Sequence, residues 1–349
     1  MPQRIAILGS GGMATACAVL LSERSRCEVR IWTRTAERAA ELVRDGENRK
    51  LLPGVPLPSG VVVTHDVAAA VADADLAVAA IPTRFLRETL TPLAGQVPAG
   101  LPVVSVAKGL EVGTLMRPSQ ILVDVLGPRD VAALGGPSHA EEIARRLPAG
   151  VVAASATKSL ADGVQNLFNT DRFRVYTNPD IVGVELAGAI KNVIAIAAGI
   201  CDGLGFGDNA KSGLVTRGLV EMTRFGTALG ADAETFHGLA GLGDLVTTCF
   251  SRHSRNRHVG ECLGKGQPLE QIVAEMNGVA EGITTTRGLI ELAAERNIEM
   301  PIAAEVYAVL FANKPAAEAT ASLMHRPPKD ERRGRGTAAA PGAVRPPGD

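Results

Sequence analysis

The segment that most restricts the fold lies near the N-terminus, where the apolar run Ile5-Ala6-Ile7-Leu8 passes directly into Gly9-Ser10-Gly11-Gly12-Met13-Ala14 and then into a helix-compatible stretch. Few backbone paths use glycine so densely. In a strand-turn-helix unit of the form G-x-G-x-x-A, Gly9 allows the tight turn and Gly11 lets the backbone approach a pyrophosphate. Small Ala14 lets the helix pack on the sheet, and the helix start supplies amides and partial positive charge for an anion. A signal-peptide reading of residues 5–21 accounts for the apolar run but not for its glycines.

The next strand, at residues 28–32, ends in Trp32-Thr33-Arg34-Thr35. An acid usually stands there to hold a ribose 2′-hydroxyl. Arg34, twenty residues past Ala14, favours a 2′-phosphate instead, which predicts NADP. NAD held by other groups, with Arg34 a surface residue, is the alternative.

Short β-branched runs at 4–8, 28–32, 61–64, 76–81 and 103–107 alternate with helical stretches, the pattern of βαβ units and a parallel sheet. The run at 76–81 is apolar throughout, as a strand covered on both faces must be. More strands are expected at 131–134, 150–154 and 173–176, and long helices at 182–200, 211–229 and 284–296. These boundaries predict an α/β, Rossmann-type doubly wound domain over 1–179 and an all-α domain over 180–325, followed at 326–349 by a disordered Pro- and Arg-rich tail too poor in apolar side chains to pack.

Composition narrows the partners. With 36 basic and 37 acidic side chains the formal charge is −1, so no global field draws the protein to nucleic acid or to an anionic membrane. The apolar stretch 186–200 carries Lys191 and Asn192 and is shorter than the roughly 20 residues a membrane span needs, so no stable insertion is expected. Five cysteines without a C-x-x-C pair point to a reducing compartment and to no metal site. Aromatics are only 3% while glycines number 38, which favours backbone-lined sites; the glycines are expected chiefly in the pyrophosphate turn and in loops around a small anion.

Three segments suit carbonyl chemistry, which needs a proton donor beside the hydride source. Lys191 lies in an apolar helical stretch with Ala187, Gly188 and Ala195 one turn away, leaving room for a ligand. A lysine snorkelling to the helix surface is the competing reading. Asp244, in Gly241-Leu242-Gly243-Asp244, could orient that lysine, and Ser254, Arg255 and Asn256 bring donors to a phosphate. Lys108 stands where a strand ends, at the side of a doubly wound sheet where ligands collect. Helix caps and solvated basic loops are the ordinary alternatives.

Together, Ala107-Lys108-Gly109, Gly136-Pro137-Ser138-His139-Ala140, Lys191-Asn192 in its helix, the glycine loop Asp202-Gly203-Leu204-Gly205-Phe206-Gly207, Gly241-Leu242-Gly243-Asp244, Ser254-Arg255-Asn256-Arg257 and Glu281-Gly282 closely resemble bacterial NAD(P)-dependent glycerol-3-phosphate dehydrogenases. The resemblance runs from Arg4 to about His325. It implies reversible reduction of dihydroxyacetone phosphate to sn-glycerol 3-phosphate in the cytoplasm, for glycerophospholipid synthesis, by a Rossmann domain joined to a helical substrate domain. It makes Lys191 the proton donor, with Lys108, Gly136, Ser138, Asp244, Ser254, Arg255 and Asn256 on the substrate. Gly12, Met13, Arg34, Ala140, Val279 and Glu281, with Lys108 and Arg255, would line the cofactor. The family usually has an aromatic where Met13 stands and glycine at Ala14. A small phosphorylated substrate is the expected partner; a homodimer is admitted, but the sequence does not give the oligomeric state. Two other readings compete: a ketopantoate or β-hydroxyacid type of NADP-dependent reductase, and a non-catalytic NADP-binding sensor.

Overall fold

The computed structural model describes residues 3–23, 27–276, 278–328 and 330–331; the tail expected at 326–349 lies outside them from 332 onward. Strands β1 (Gln3–Leu8), β2 (Cys27–Trp32), β3 (Val62–Thr64), β4 (Leu76–Ala79), β5 (Val103–Ser105), β6 (Val131–Gly135), β7 (Ala149–Ala154) and β8 (Phe173–Asn178) form one sheet in the order β3-β2-β1-β4-β5-β6-β7-β8. Their connections include α1 (Gly12–Ser22), α2 (Ala36–Asp45), α3 (Val67–Val71), α4 (Thr83–Leu90), α5 (Pro118–Leu126), α6 (Ala140–Ala144) and α7 (Lys158–Phe168).

Side-chain alternation in the strands builds two cores. Ile5 and Ile7 pack with Cys17, Leu21 and Val164 of α1 and α7 on one face. Ala6 and Leu8 pack with Val67, Leu86 and Ile121 of α3, α4 and α5 on the other. Both faces are therefore covered, which is why these strands carry no polar stripe. The chain leaves β1 toward β2 and β3 on one side, then crosses to β4 and β5 on the other. Ligand crevices form at such a switch point, beyond the strands' C-terminal ends.

One feature of the sheet departs from an all-parallel expectation. β7 runs antiparallel to β6, while β8 runs parallel to β7. The connection 136–148, which holds the short helix α6, brings the chain back from the same end of the sheet at which β6 finishes. Gly136 and Ser138 follow the end of β6, which is parallel to β5, and so lie at the end of the sheet that carries Gly9 and Lys108.

The second half comprises α8 (Ile181–Gly203), α9 (Asp208–Ala228), α10 (Ala233–His237), a π-helical turn at Leu239–Gly243, α11 (Asp244–Phe250), α12 (Arg255–Gly264), α13 (Leu269–Glu275), α14 (Glu281–Glu295), α15 (Pro301–Phe311) and α16 (Ala316–Met324). Helix α8 is its axis, buried continuously from Gly183 to Cys201. Among the described residues it alone is long and apolar enough to cross a membrane, and 89% of its most apolar window is buried inside the fold.

The glycines are distributed differently from expectation. Gly199 and Gly203 of α8 lie against Gly260 and Gly264 of α12 so closely that a Cβ on Gly260 would stand 1.9 Å from the Ile196 carbonyl oxygen, and one on Gly199 would stand 2.0 Å from that of Arg257. Glycine is used here for helix contact rather than for a ligand loop, a role that Gly-x-x-x-Gly spacing within each helix could have signalled.

A buried acid joins the two halves. Glu185 of α8 accepts from the Ser119 backbone N–H at 2.7 Å and the Ser119 hydroxyl at 2.6 Å, and pairs with Arg117, all at the start of α5. Burial pushes the Glu185 carboxyl above its usual range, against the opposing pull of Arg117 and Ser119.

Gly260→Ala should lower unfolding free energy by at least about 2 kcal/mol in urea denaturation, because neither backbone can retreat. Gly213→Ala, on α9 where a Cβ meets nothing within 4 Å, should instead raise it by about 1 kcal/mol.

Candidate functional site

Four elements deliver the polar groups of the cleft between the two halves. Lys191 projects from α8, Asp244 and Thr248 lie one turn apart on α11, Lys108 follows β5, and Gly136 and Ser138 follow β6. Lys191 Nζ donates to Asp244 Oδ1 at 2.7 Å and to Thr248 Oγ1 at 2.6 Å. Lys108 Nζ donates to Asp244 Oδ2 at 2.8 Å, to the Gly136 carbonyl at 2.9 Å and to Ser138 Oγ at 2.9 Å. One carboxylate is thus clasped by two ammonium groups from different halves of the chain. Gly188, one turn before Lys191, faces the Lys108 stem, and a Cβ there would stand in ordinary contact with it, 3.5 Å from Lys108 Cγ.

Lys191 is 5% exposed and Asp244 1%. Burial drives the Lys191 ammonium down to about 8, Asp244 opposes the fall and Lys108 adds to it. Burial alone would raise the Asp244 carboxyl, but the two lysines outweigh it and hold the group below the usual carboxylate range. The lysine therefore titrates near physiological pH beside a fixed negative charge, as a group that must both give and take a proton needs to do.

Around this core the expected residues fall into two groups. On the dinucleotide side, Gly9 has φ of 120° and so little room that a Cβ would meet the Ala80 carbonyl oxygen at 2.6 Å. Gly11 faces open space and caps α1 without a side-chain bond, which leaves helix-start amides for a ligand. A Cβ on Gly12 would lie 3.7 Å from that of Ala140. Met13 packs, half-buried, against the core on the α1 side of the sheet. Arg34 is exposed just beyond β2, next to Thr35, the N-cap of α2.

On the helical side, Ser254 caps α12 by accepting from the Arg257 N–H at 3.2 Å, and its own hydroxyl proton remains to be given. Arg255 is exposed at the first position of α12 and lies over Gly278, beside half-buried Val279. Glu281, first in α14, accepts from the Thr83 N–H at 2.8 Å across the two halves; burial raises its carboxyl despite the Thr83 N–H and the nearby Arg255. Asn256 is placed differently from the others. Its amide donates to Asn192 Oδ1 and accepts from the Gly282 N–H, both at 2.9 Å, so it braces α8, α12 and α14 and keeps one amide hydrogen free of these bonds.

Sequence reasoning missed Thr248, although its position four residues after Asp244 puts both on one helix face. It also gave no role to His139, whose Nε2 is buried without a hydrogen-bond partner and whose ring meets His253 at a centroid separation of 5.9 Å. Burial, then Lys191 and Lys108, push this imidazole below its ordinary value. The His253 side opens into a cavity of about 470 Å³ that Arg145, Val246, Phe250 and Arg252 also line. The five cysteines are all free thiols, and no cluster of three metal-ligating side chains occurs among the described residues.

Comparison with known proteins places this geometry. Residues 4–161 match the family described as NAD-dependent glycerol-3-phosphate dehydrogenase N-terminus, and residues 180–321 match its C-terminus. The chain is 49% identical over 330 residues to a glycerol-3-phosphate dehydrogenase [NAD(P)+] of Prosthecochloris aestuarii, covering 94% of this chain and 99% of that one. It is 50% identical over 336 residues to the protein of the same name in Chlorobium chlorochromatii, with coverage of 94% and 99%. A crystal structure of glycerol-3-phosphate dehydrogenase from Coxiella burnetii superposes with a TM-score of 0.89 at 35% identity, over 93% of this chain and 99% of that one.

Replacing Asp244 by Asn should strand the buried Lys191 ammonium and the part-exposed Lys108 ammonium, and cost roughly 3–5 kcal/mol at pH 6 in chemical denaturation. The Lys191 pKa of about 8 already lies below the ordinary 10.5, so folding gains stability as pH rises between those values. Without Asp244 the Lys191 proton leaves at lower pH, and the deficit should shrink as pH rises toward 8.

Proposed function

The chain belongs to the NAD-dependent glycerol-3-phosphate dehydrogenase family, and from that premise we propose which of its residues run the reaction and which nucleotide it prefers. The enzyme interconverts dihydroxyacetone phosphate and sn-glycerol 3-phosphate with a nicotinamide dinucleotide. The observation that carries the assignment of roles is the clasp of Asp244 between Lys191 and Lys108 at the bottom of the cleft.

Gly9, Gly11 and Gly12, with Met13, Ala140, Val279 and Glu281, would hold the dinucleotide, which when bound would supply the hydride. Lys191 protonates the carbonyl oxygen during reduction and, as the free amine, takes the alcohol proton during oxidation. Asp244 and Thr248 fix the direction of Nζ. Lys108, held by Ser138 and the Gly136 carbonyl, adds positive charge where the alkoxide develops; in a dry cleft such charge is worth more than in water. The clasp carries two positive charges against one negative, an imbalance that a phosphorylated substrate offsets. Ser254, Arg255 and the start of α12 receive the phosphate, and Asn256 contributes its remaining amide hydrogen.

NADP is the preferred nucleotide in this proposal, and NAD the weaker one. Support comes from Arg34, exposed and with no ion-pair partner among the described residues, beside the α2 N-terminus. A 2′-phosphate there meets a guanidinium and helix-start amides.

Lys191→Met should reduce turnover by roughly 10²–10⁴-fold while NADPH still binds, measured by NADPH oxidation with dihydroxyacetone phosphate and by fluorescence titration; near-normal turnover would remove the role. With Lys191 at about 8, dihydroxyacetone phosphate reduction should fall as pH rises past 8, and glycerol 3-phosphate oxidation should fall below it. In Arg34→Asp, the ratio of kcat/KM for NADPH over NADH should drop by about tenfold or more, and an unchanged ratio would contradict the NADP assignment.

A further inference from the structure

Asn48 lies on the connection between α2 and β3, in a stretch whose sequence carries no recognised motif, yet its side chain is wholly buried, at 0% exposure. Its Nδ2 donates to the Ser10 carbonyl at 3.1 Å and to Thr15 Oγ1 at 2.9 Å, with a longer approach to the Gly11 carbonyl at 3.4 Å. Its Oδ1 accepts from the Arg38 guanidinium and, at 3.3 Å, from the Leu51 N–H. Its backbone carbonyl accepts from the N–H groups of Leu51 and Leu52. The turn so formed brings the Leu51 carbonyl oxygen within 2.9 Å of where a Cβ on Gly12 would stand. A burial this complete and a set of partners this concentrated on one loop are more than a connecting segment requires.

The geometry matters because a trans peptide holds its C=O and N–H pointing in opposite directions. Drawing the Ser10 carbonyl down onto Asn48 aims the Gly11 N–H away from it. The Gly11 carbonyl is drawn to the same side by Thr15, whose hydroxyl donates at 3.2 Å and whose N–H donates at 3.1 Å. That turns the Gly12 N–H the opposite way, out of the start of α1, where Gly11 itself is open enough that a Cβ on it would meet nothing within 4 Å. Left unanchored, a turn of glycines samples many such orientations and loses that freedom on binding.

We propose that Asn48, acting with Thr15, is a positioning residue that presets the peptide groups of the glycine turn for the pyrophosphate of the dinucleotide, and so sets affinity for NADPH and NADH alike. The inference rests on the dinucleotide reading above but not on which nucleotide is preferred. It separates two parts of cofactor recognition: Arg34 discriminates at the ribose, and Asn48 serves the diphosphate common to both.

The test uses the full chain with Asn48→Leu, which keeps the number and branching of side-chain heavy atoms and removes the hydrogen bonds, and Thr15→Val, a smaller change on the same network. Dissociation constants are measured for NADPH, NADH and 2′-AMP, the last having the ribose phosphate but no diphosphate. Asn48→Leu should weaken both dinucleotides by the same factor of about ten, and Thr15→Val by about three. The affinity for 2′-AMP should stay within about twofold, with the kinetic loss falling on the KM for cofactor rather than on the KM for dihydroxyacetone phosphate. Unchanged dinucleotide affinity in a folded variant, or an equal loss for 2′-AMP, would overturn the proposal; if Asn48→Leu does not fold, Thr15→Val decides it alone. Wild-type protein that binds neither dinucleotide would overturn both this proposal and the reading beneath it.

Discussion

The clasp of Asp244 by Lys191 and Lys108 is the interaction around which this molecule is organised. An aspartate and a lysine buried to within 5% of their surface are expensive to remove from water, and only their mutual contact with Lys108 and the Thr248 hydroxyl makes their burial tolerable. The same groups keep Lys191 near its titration point. Stability and the proposed chemistry thus rest on one arrangement, and neither half of the chain can build it alone, because Lys108 comes from the sheet and the other two from the helices.

Holding that arrangement to within a hydrogen-bond length requires the two halves to be fixed against each other. Two buried carboxylates, Glu185 and Glu281, do this by accepting backbone N–H groups at the starts of α5 and α4. Each sits on a helix of the second half and meets a helix start of the first, where unpaired donors and the end of the helix dipole favour negative charge. Within the helical half, the glycine contacts between α8 and α12 set the axis from which Lys191 projects, while Asn256 ties α8 and α12 to α14. The glycines thus act in two unlike ways: those of the first turn expose backbone to a ligand, and those of α8 and α12 bring backbone against backbone.

Much of this was readable from the chain. The strand-turn-helix at Gly9, the alternation of strands and helices, and the apolar run with Lys191 at its centre depend on neighbours in sequence, so their meaning is local. The antiparallel β7 was not readable, since the shorter connection 65–75 makes a parallel crossover in the same sheet, so the length of 136–148 does not fix the direction of the strand that follows. The brace made by Asn256, the acids that lock the halves and the buried Asn48 were equally hidden, because their partners stand far away in sequence and a polar residue in a loop looks the same whether solvated or buried. Thr248 is the intermediate case: helical spacing from Asp244 made it accessible, but only once Asp244 was known to face a lysine.

Sequence alone determined the kind of molecule: a sheet built to receive a dinucleotide, a helical half with an isolated lysine, and a set of motifs specific enough to indicate the reaction. Tertiary structure decided the charge state and the division of labour. Whether a lysine titrates near 8 or near 10.5 depends on the water removed from it and on the charges brought within a few ångströms. Those are properties of the space into which 349 residues are folded, not of their order along the chain.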